Sequence, residues 1–367
     1  MTSKIWEFNA MDTLFFRDGT PHNAGEGGGL GVKSIFPPYI LTLQGAVRAG
    51  LAIGQDWSLD GDKPFPKELG DGDDLGKVSF EGPYLKYQDD YLFEVPLNLL
   101  HKDLREFSRI VPGEKYYETD IGRNRFPLLV KGIQGAKTMN NYLITGYALG
   151  RFLRGEDISA SDFFNKSKLW SEEERTGIGI ERTNRSTKQG MLYFTTHIRT
   201  KQDLAIVVKV KGISEAWHAT VPQVLYLGGE GRMARVRISE DREIIPPMGE
   251  IKNKSDKIRF TVTLVTPGCC WPSDTIEDVT KETQDIIEKG YSFIPGNCVS
   301  ACISKIKQVG GFDIKKREPR PLIPIIPPGS TWFYEGHSED IHTLRSLHGK
   351  TSNSFGFNQI IIGNWGD

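Results

Sequence analysis

The order of the apolar patterns limits the fold of this chain more than any other feature. Residues 4–9 alternate as in a strand, and a helical period follows after Pro37–Pro38. Thr42 is placed to cap this helix. Its apolar positions are spaced i, i+3, i+4, i+7 and i+8: Leu43, Ala46, Val47, Gly50 and Leu51. A strong strand at 204–210 opens a second cycle, so the sequence predicts two α+β units in succession.

The other patterns complete these two cycles. They predict strand pieces at 77–95, a helix at 140–154, a helix at 214–226, strands at 233–239 and 258–266, a helix at 275–289, strand pieces at 301–308 and 331–335, a short helix at 339–347 and a final strand at 358–363. At 367 residues the chain is long for one compact domain. The prediction is therefore a first domain over 1–200 and a second over 201–367.

The charges are nearly balanced, because 46 Lys and Arg face 47 Asp and Glu. That balance weakens the case for a free-standing nucleic-acid binder, which is usually basic, but allows a local basic surface. No apolar run approaches the ~20 residues of a membrane span, and the N-terminus lacks the apolar core of a signal peptide. We therefore expect a cytoplasmic protein without a membrane partner.

Two segments before residue 80 read as loops. Residues 17–38 are rich in Gly and Pro, and loops of that length are usually functional or disordered. Residues 54–76 carry seven acidic side chains interleaved with Gly and Pro, which indicates a solvated acidic insertion.

A hairpin is predicted over 177–198, with a polar, basic tip at 181–189. Arg182, Asn184, Arg185 and Lys188 lie at this tip. Such groups donate to phosphates and 2′-hydroxyls. From composition alone, an ordinary solvated turn is the favoured interpretation of the tip.

The segment 227–235 joins several glycines to two arginines. Gly228, Gly229 and Gly231 allow backbone amides to approach a phosphate, and Arg232 and Arg235 add charge. A plain Gly-rich turn is the alternative. The basic run at 305–320 most simply indicates a wet surface.

Several catalytic and cofactor motifs are missing. Gly349-Lys350-Thr351 resembles the end of a P-loop, but Leu344 replaces the required glycine, and residues 25–31 do not give a dinucleotide-binding pattern. Four cysteines could in principle hold zinc, although small buried residues are the simpler interpretation. They are Cys269, Cys270, Cys298 and Cys302. We expect neither metal nor cofactor.

The histidines do not form a known catalytic motif, because neither H-E-x-x-H nor G-x-S-x-G is present. His22 lies beside the Gly-rich loop and His197 in the predicted hairpin. Each remains a candidate base for RNA cleavage, which requires a geometry that sequence does not reveal.

Taken together, motifs spread from residue 12 to residue 365 resemble the Cmr-type (type III-B CRISPR) RAMP subunit that sits at the crRNA 5′-tag end. The matching segments are Asp12–Pro21, Ser34–Pro38, Thr42–Arg48, Gly179–Arg185, Gly190–Tyr193, Leu227–Ala234, Pro328–Ser330 and Gly356–Trp365. Tyr39–Leu41 and Asn358 depart from the family pattern.

The resemblance implies two ferredoxin-like (RRM-like) domains with long Gly-rich loops, one of them C-terminal, and a protruding thumb hairpin. It implies a non-catalytic subunit for antiviral defence that binds the crRNA 5′ tag, the large polymerase-like subunit and a neighbouring backbone RAMP subunit. The candidate RNA-binding residues are Arg17, Lys33, Arg48, Arg182, Asn184, Arg185, Lys188, Gly228, Gly229, Gly231, Arg232 and Arg235.

Two alternatives remain open at this point. One is a crRNA-processing endoribonuclease of the same superfamily, with His22 or His197 as the base. The other is a scaffold that binds only protein, which the near-neutral charge and the acidic 54–76 insertion favour.

Overall fold

The computed structural model describes residues 2–18, 32–72, 74–119, 122–181, 183, 186–272, 275–313 and 318–365, with the side chains of 187–192, 254 and 312–313 outside the description. The helices are α1 Ile40–Ile53, α2 Gly146–Leu153, α3 Glu215–Ala219, α4 Ile276–Lys289 and α5 Ile341–Leu347. The strands are β1 Ser3–Ala10, β2 Ser79–Tyr87, β3 Asp90–Glu94, β4 Leu99–Lys102, β5 Glu106–Thr119, β6 Gly122–Leu129, β7 Lys137–Thr138, β8 Tyr142–Thr145, β9 Phe163–Asn165, β10 Trp170–Ile180, β11 Thr187–Thr200, β12 Leu204–Lys211, β13 Val224–Tyr226, β14 Met233–Glu240, β15 Asn253–Lys254, β16 Lys257–Leu264, β17 Asn297–Cys302, β18 Lys307–Asp313, β19 Glu318–Ile325, β20 Thr331–His337 and β21 Ile360–Asn364.

The first unit is an eight-stranded sheet in the order β13-β14-β1-β12-β2-β3-β8-β9, with antiparallel neighbours. In this sheet β12 lies between β1 and β2, although α1 connects β1 to β2 along the chain. β14 then returns to the other side of β1 after α3. The chain order β1-α1-β2-β12-α3-β14 and the sheet order β14-β1-β12-β2 together form a split β-α-β arrangement.

The second unit repeats this order with different strands. β16, α4 and β17 are followed by β20, α5 and β21, and the sheet runs β21-β16-β20-β17. The α+β class predicted from the sequence is therefore confirmed as a strand-rich architecture with several sheets.

The predicted start of the second cycle at 204–210 is wrong. That strand exists as β12, but it pairs with β1 and β2 at the centre of the first sheet, and the second cycle begins at β16. The strands of the first sheet therefore continue to Glu240, beyond the predicted boundary at 200/201. The long segment between β2 and β12 is an insertion that the sequence pattern could not separate from the cycle itself.

This insertion carries two long hairpins. β5 and β6 pair with each other in a four-stranded sheet of order β6-β5-β4-β7, which the sequence analysis missed. β10 and β11 form a two-stranded ribbon over 170–200. The predicted hairpin at 177–198 is thus confirmed and extends further towards its base.

The core of the first unit lies between its sheet and α1. Trp6 and Phe8 alternate along β1 with Ile5 and Glu7, and they pack on the apolar face of α1, including Leu43. Ile5 points to the opposite face of the sheet and joins a second core with α2. Burying large side chains such as these contributes about 1.5–3 kcal/mol each.

Three helix predictions need correction. α1 begins at Ile40 with Tyr39 as the N-cap, so Thr42 lies inside the first turn and does not cap it. Residues 142–145 are strand β8, and Thr145 caps the shorter α2 by accepting a hydrogen bond from the Ala148 amide. The helix expected over 214–226 stops at Ala219, and β13 follows it.

The other predicted elements are found close to their expected positions, at β1, β14, β16, α4, β20, α5 and β21. The strand piece expected at 301–308 is divided between the end of β17 and the start of β18. Among the described residues, no helix is both long and apolar enough to cross a membrane.

Candidate nucleic-acid interface

Three segments that are distant in sequence meet beside β1. Leu14 exchanges two backbone hydrogen bonds of 2.8 Å with Ile198, near the base of the β10–β11 ribbon. Phe15 lies next to Gly228, whose neighbour Gly229 donates its amide to the Phe15 carbonyl at 2.8 Å. The segment 11–18 is therefore held between the ribbon and the Gly-rich loop, which we define as residues 227–232.

The Gly-rich loop needs glycine at one position for two reasons. Gly228 has a φ of +85°, a conformation that residues with a Cβ rarely adopt. A Cβ there would collide with the carbonyl of Phe15 and lie 2.9 Å from the Phe16 ring. Gly231 also has a positive φ, +64°, but an added Cβ meets nothing within 4 Å. Of these two glycines with positive φ, Gly228 is therefore the one that closely approaches segment 11–18.

A cluster of charged side chains joins the ribbon to the loop. Asp12 accepts from Arg199 at 3.1 Å, from Arg232 at 3.3 Å and from Arg175 at 3.5 Å. Glu173 pairs with Arg199 at 2.6 Å and with Arg175 at 2.8 Å. The hydrogen bonds from Arg199 and then Arg175 lower the pKa of Glu173. Arg232 also contacts Glu230 at 3.9 Å, so three arginines face three carboxylates and the formal charges of the cluster balance.

A buried histidine lies beneath this cluster. The ring of His197 is fully buried, with Nδ1 3.1 Å from Thr13 Oγ1 and Nε2 2.9 Å from Glu230 Oε2. It stacks on Phe15 at 5.1 Å between ring centroids. Burial lowers the pKa of His197, so the ring is neutral near pH 7. It links segment 11–18 to the Gly-rich loop and does not face solvent.

The structure places some of the predicted residues at this site. Arg232 belongs to the charged cluster, and Arg17 and Lys33 lie exposed on either side of residues 19–31. Arg235 lies exposed on β14. Arg182, Asn184, Arg185 and His22 lie outside the residues that the structure describes. For Lys188 the description covers only the backbone.

Arg48 does not lie at this site. Its guanidinium donates to the carbonyls of Leu69, Gly72 and Asp74, at 2.8, 3.2 and 3.2 Å. These bonds tie α1 to the acidic insertion, which itself buries Leu69 and Leu75 in the core. The geometry gives Arg48 a structural function, and we do not carry it further as an RNA ligand.

Sequence reasoning missed four members of the charged cluster: Asp12, Glu173, Arg175 and Arg199. Glu173 and Arg175 are two apart on a strand, so they share a face, and a long ribbon reaching back to 170 would have placed Arg199 opposite Ser171, diagonally next to Glu173 on that face. Asp12 carried no comparable signal, because its partners are far away in sequence.

The outer part of the ribbon exposes apolar side chains. Ile178 and Ile180 are each at least half exposed, and Tyr193 and Phe194 are substantially exposed. The Tyr193 ring covers Gly177, its cross-strand partner, so closely that a Cβ at Gly177 could not be accommodated. This part of the ribbon presents aliphatic and aromatic side chains on a two-stranded support.

The cysteines lie away from this site. Burial raises the pKa of Cys269 to about 11 and that of Cys298 to about 12, so both thiols are protonated near neutral pH. In the part of the chain that the structure describes, no group of three or more His, Cys, Asp or Glu side chains is arranged to hold a metal ion.

Comparison with known proteins gives the class of this architecture. The family model described as CRISPR-associated protein (Cas_Cmr3) matches residues 6–365. One similar solved chain comes from the type III-B Cmr-beta complex bound to cognate target RNA and AMPPnP, with 14% identity, 99% of this chain and 100% of that chain covered, and a TM-score of 0.52. Another comes from the Cmr-beta complex bound to cognate target RNA, with 14% identity, 97% and 96% coverage, and a TM-score of 0.51. No curated protein matches.

The two strand-rich units, the projecting ribbon and the Gly-rich loop define a RAMP-like CRISPR-associated protein. At 14% identity the solved structures establish the likeness of the fold, whereas the family model covers nearly the whole chain. The chain belongs to the Cmr3 family of CRISPR-associated proteins, and it is a type III CRISPR effector subunit.

Proposed function

We propose that this chain is the non-catalytic subunit that holds the repeat-derived 5′ tag of crRNA in a type III-B effector complex. The observation that carries the proposal is the junction of the ribbon, segment 11–18 and the Gly-rich loop, where Arg175, Arg199 and Arg232 converge on Asp12. Phosphate contacts at this junction would set the register of the RNA, and a few bases would be read directly.

The ribbon would act as the thumb in this proposal. Its exposed Tyr193 can stack on a base in place of the neighbour that a splayed base loses, and Ile178 and Ile180 can wedge between bases. Inserted between nucleotides, the ribbon would interrupt a guide–target duplex. It would thereby mark where the tag ends and the guide begins.

The proposal extends to fold, partners and location. The repeated sheet order in both units supports two ferredoxin-like domains. Family membership supports docking on the large polymerase-like subunit and on a neighbouring backbone RAMP subunit, in the cytoplasm. Co-expression of the full chain with each subunit tests docking, and separate elution from both would contradict it.

The test of RNA binding is a salt series on the full chain co-expressed with the large subunit. Wild type is compared with the triple variant Arg182→Glu/Arg185→Glu/Arg232→Glu. Each lost phosphate contact reduces the slope of log K against log salt by about 0.7 on a single strand, so three contacts reduce it by about 2.

The matched control reverses three exposed charges on the second unit, Lys257→Glu/Lys289→Glu/Arg345→Glu. Tag-dependent affinity that collapses in the first variant and survives in the control would support the tag clamp. Equal affinity for wild type and both variants would favour the protein-only scaffold.

The absence of catalysis is a separate part of the proposal. His197 has both ring nitrogens engaged and is fully buried, so it reaches an RNA 2′-hydroxyl only if the Gly-rich loop opens. The assay is metal-free incubation of repeat RNA with excess protein. Cleavage that disappears in His22→Ala or His197→Gln would establish the endoribonuclease alternative.

A further inference from the structure

At its β13 edge, the outer face of the first sheet carries exposed side chains. On the inner face Leu225, Ala234 and Val236 are buried in the core under α1. The alternate residues of β13 and β14 point outward and are exposed: Val224, Tyr226, Met233, Arg235 and Arg237. We call these residues, together with Arg242, the β13–β14 outer face.

Cations outnumber anions on this face. Arg237 lies opposite Glu7 in the β1–β14 pairing and contacts it at 2.6 Å, Arg242 contacts it at 2.9 Å, and Lys86 on β2 contacts the same carboxylate at 2.9 Å. The Glu7 side chain is only 4% exposed, so its charge lies beneath the arginines that cover it. Arg235 has no ion-pair or hydrogen-bond partner among the described residues. Lys86 is itself buried and paired with Glu7, so the exposed cations of this face are Arg235, Arg237 and Arg242.

The geometry of the cations suits an extended polyanion. Arg235 and Arg237 lie two residues apart on β14, which separates their Cα atoms by about 7 Å along one strand. Arg242 follows β14 and reaches across the sheet, with its guanidinium over the Tyr91 ring of β3 at 5.1 Å and Nε donating to the Tyr91 hydroxyl at 2.7 Å. The aromatic contact holds this arginine in place while leaving it about half exposed.

One aromatic side chain stands at the start of this row. Tyr226 is 70% exposed, lies opposite Met233 in the strand pairing, and directly precedes the Gly-rich loop. The face is also continuous with the junction described above, because the Met11 amide donates to the Met233 carbonyl at 3.2 Å. RNA leaving the Gly-rich loop along β14 would meet Tyr226 first and then the arginines.

We propose that the β13–β14 outer face binds the single-stranded RNA segment that continues from the Gly-rich loop. One base stacks on Tyr226, and phosphates follow Arg235, Arg237 and Arg242. Stacking platforms beside rows of arginine are how proteins hold single-stranded RNA. This inference rests on the proposed tag-binding function and adds a path for the RNA beyond the junction.

The test uses crRNA carrying 4-thiouridine at single positions, bound to the full chain co-expressed with the large subunit. Irradiation of the wild-type complex is expected to cross-link one position to the peptide containing Tyr226. Tyr226→Ala is expected to weaken binding about 5- to 150-fold, the range for loss of one stacked base. Tyr226→Phe, which keeps the ring, is expected to bind as wild type does.

Charge reversal provides an independent measurement. Arg235→Glu, which breaks no ion pair of the described structure, is expected to reduce the salt slope by about 0.7. Arg345→Glu on α5 is equally exposed and serves as the matched control, with no expected change.

The outcomes separate this inference from the tag clamp. If wild type binds tag RNA while Tyr226→Ala and Arg235→Glu bind equally well and no cross-link reaches Tyr226, the inference is refuted and the clamp stands. If Arg235→Glu leaves RNA affinity unchanged but releases the large subunit, the face binds protein and the inference is equally refuted. If wild type shows no tag-dependent binding, both proposals fail.

Discussion

The replacement of Gly228 by alanine tests the junction of segment 11–18 with the Gly-rich loop. The added methyl group must adopt a φ near +85° and must also displace the Phe15 carbonyl and the Phe16 ring. The carbonyl cannot move far, because it accepts the Gly229 amide at 2.8 Å. Gly231→Ala is the matched control, because it pays the conformational cost without any steric contact.

The magnitudes follow from these two costs. A left-handed conformation costs a residue with a Cβ about 1–2 kcal/mol, which both variants lose. Gly228→Ala also overpacks a closed contact, which costs about 1–3 kcal/mol more. We therefore expect the free energy of unfolding to fall by about 2–5 kcal/mol for Gly228→Ala and by about 1–2 kcal/mol for Gly231→Ala.

Urea denaturation of the two purified variants measures this difference, provided the slope with denaturant is unchanged. Hydrogen exchange in peptides covering 11–18 and 227–232 should accelerate for Gly228→Ala and not for Gly231→Ala. Equal losses of stability in the two variants would refute the argument that the Phe15–Gly228 contact closes the junction.

Three further results are expected. Burial lowers the pKa of His197, so the unfolded chain binds a proton at this residue more readily than the folded chain does. The stability of the fold therefore rises with pH up to about 6.5. His197→Gln should reduce the slope of Tm against pH without abolishing it, because other buried histidines contribute. Arg125→Met should lower the free energy of unfolding by about 2 kcal/mol, because the Arg125 guanidinium is largely buried and donates two hydrogen bonds to Glu335. Arg259 is exposed and contacts the same carboxylate, so Arg259→Met should cost under about 1 kcal/mol. Equal urea midpoints for the two variants would contradict this difference. Cys269, buried and with a pKa of about 11, should react with a thiol reagent only after unfolding, so rapid labelling of the native chain would show that its pocket opens.

The elements that the sequence predicted are those in which local pattern and packing agree. β1 alternates and α1 has a clear apolar face, and both lie in the core for that reason. Residues 142–145 were assigned to a helix because their apolar spacing suits either structure, and pairing with β3 and β9 decided for a strand. Short apolar runs of this kind are settled by their partners.

The pairing of strands lies beyond the reach of local pattern. β12 was recognised as a strand but assigned to the wrong unit, because nothing in its own residues shows that it inserts between β1 and β2. The charged cluster was incomplete for the same reason: Asp12 meets Arg175 and Arg199 only once the ribbon is docked beside segment 11–18. The Gly-rich loop and Arg232 could be predicted, because the glycines and the arginine are close together in the sequence.

The split order of the first sheet has a consequence for how the chain is made. Ser3 pairs with Lys211 and Lys4 with Glu240, so both neighbours of β1 are synthesised long after it. At 5–20 residues per second, β1 waits roughly 10–40 s on the ribosome before β12 emerges. During that interval neither edge of β1 has its partner strand, although α1 is already available to cover Trp6 and Phe8. Early synthesis is therefore the stage at which this chain depends most on chaperones.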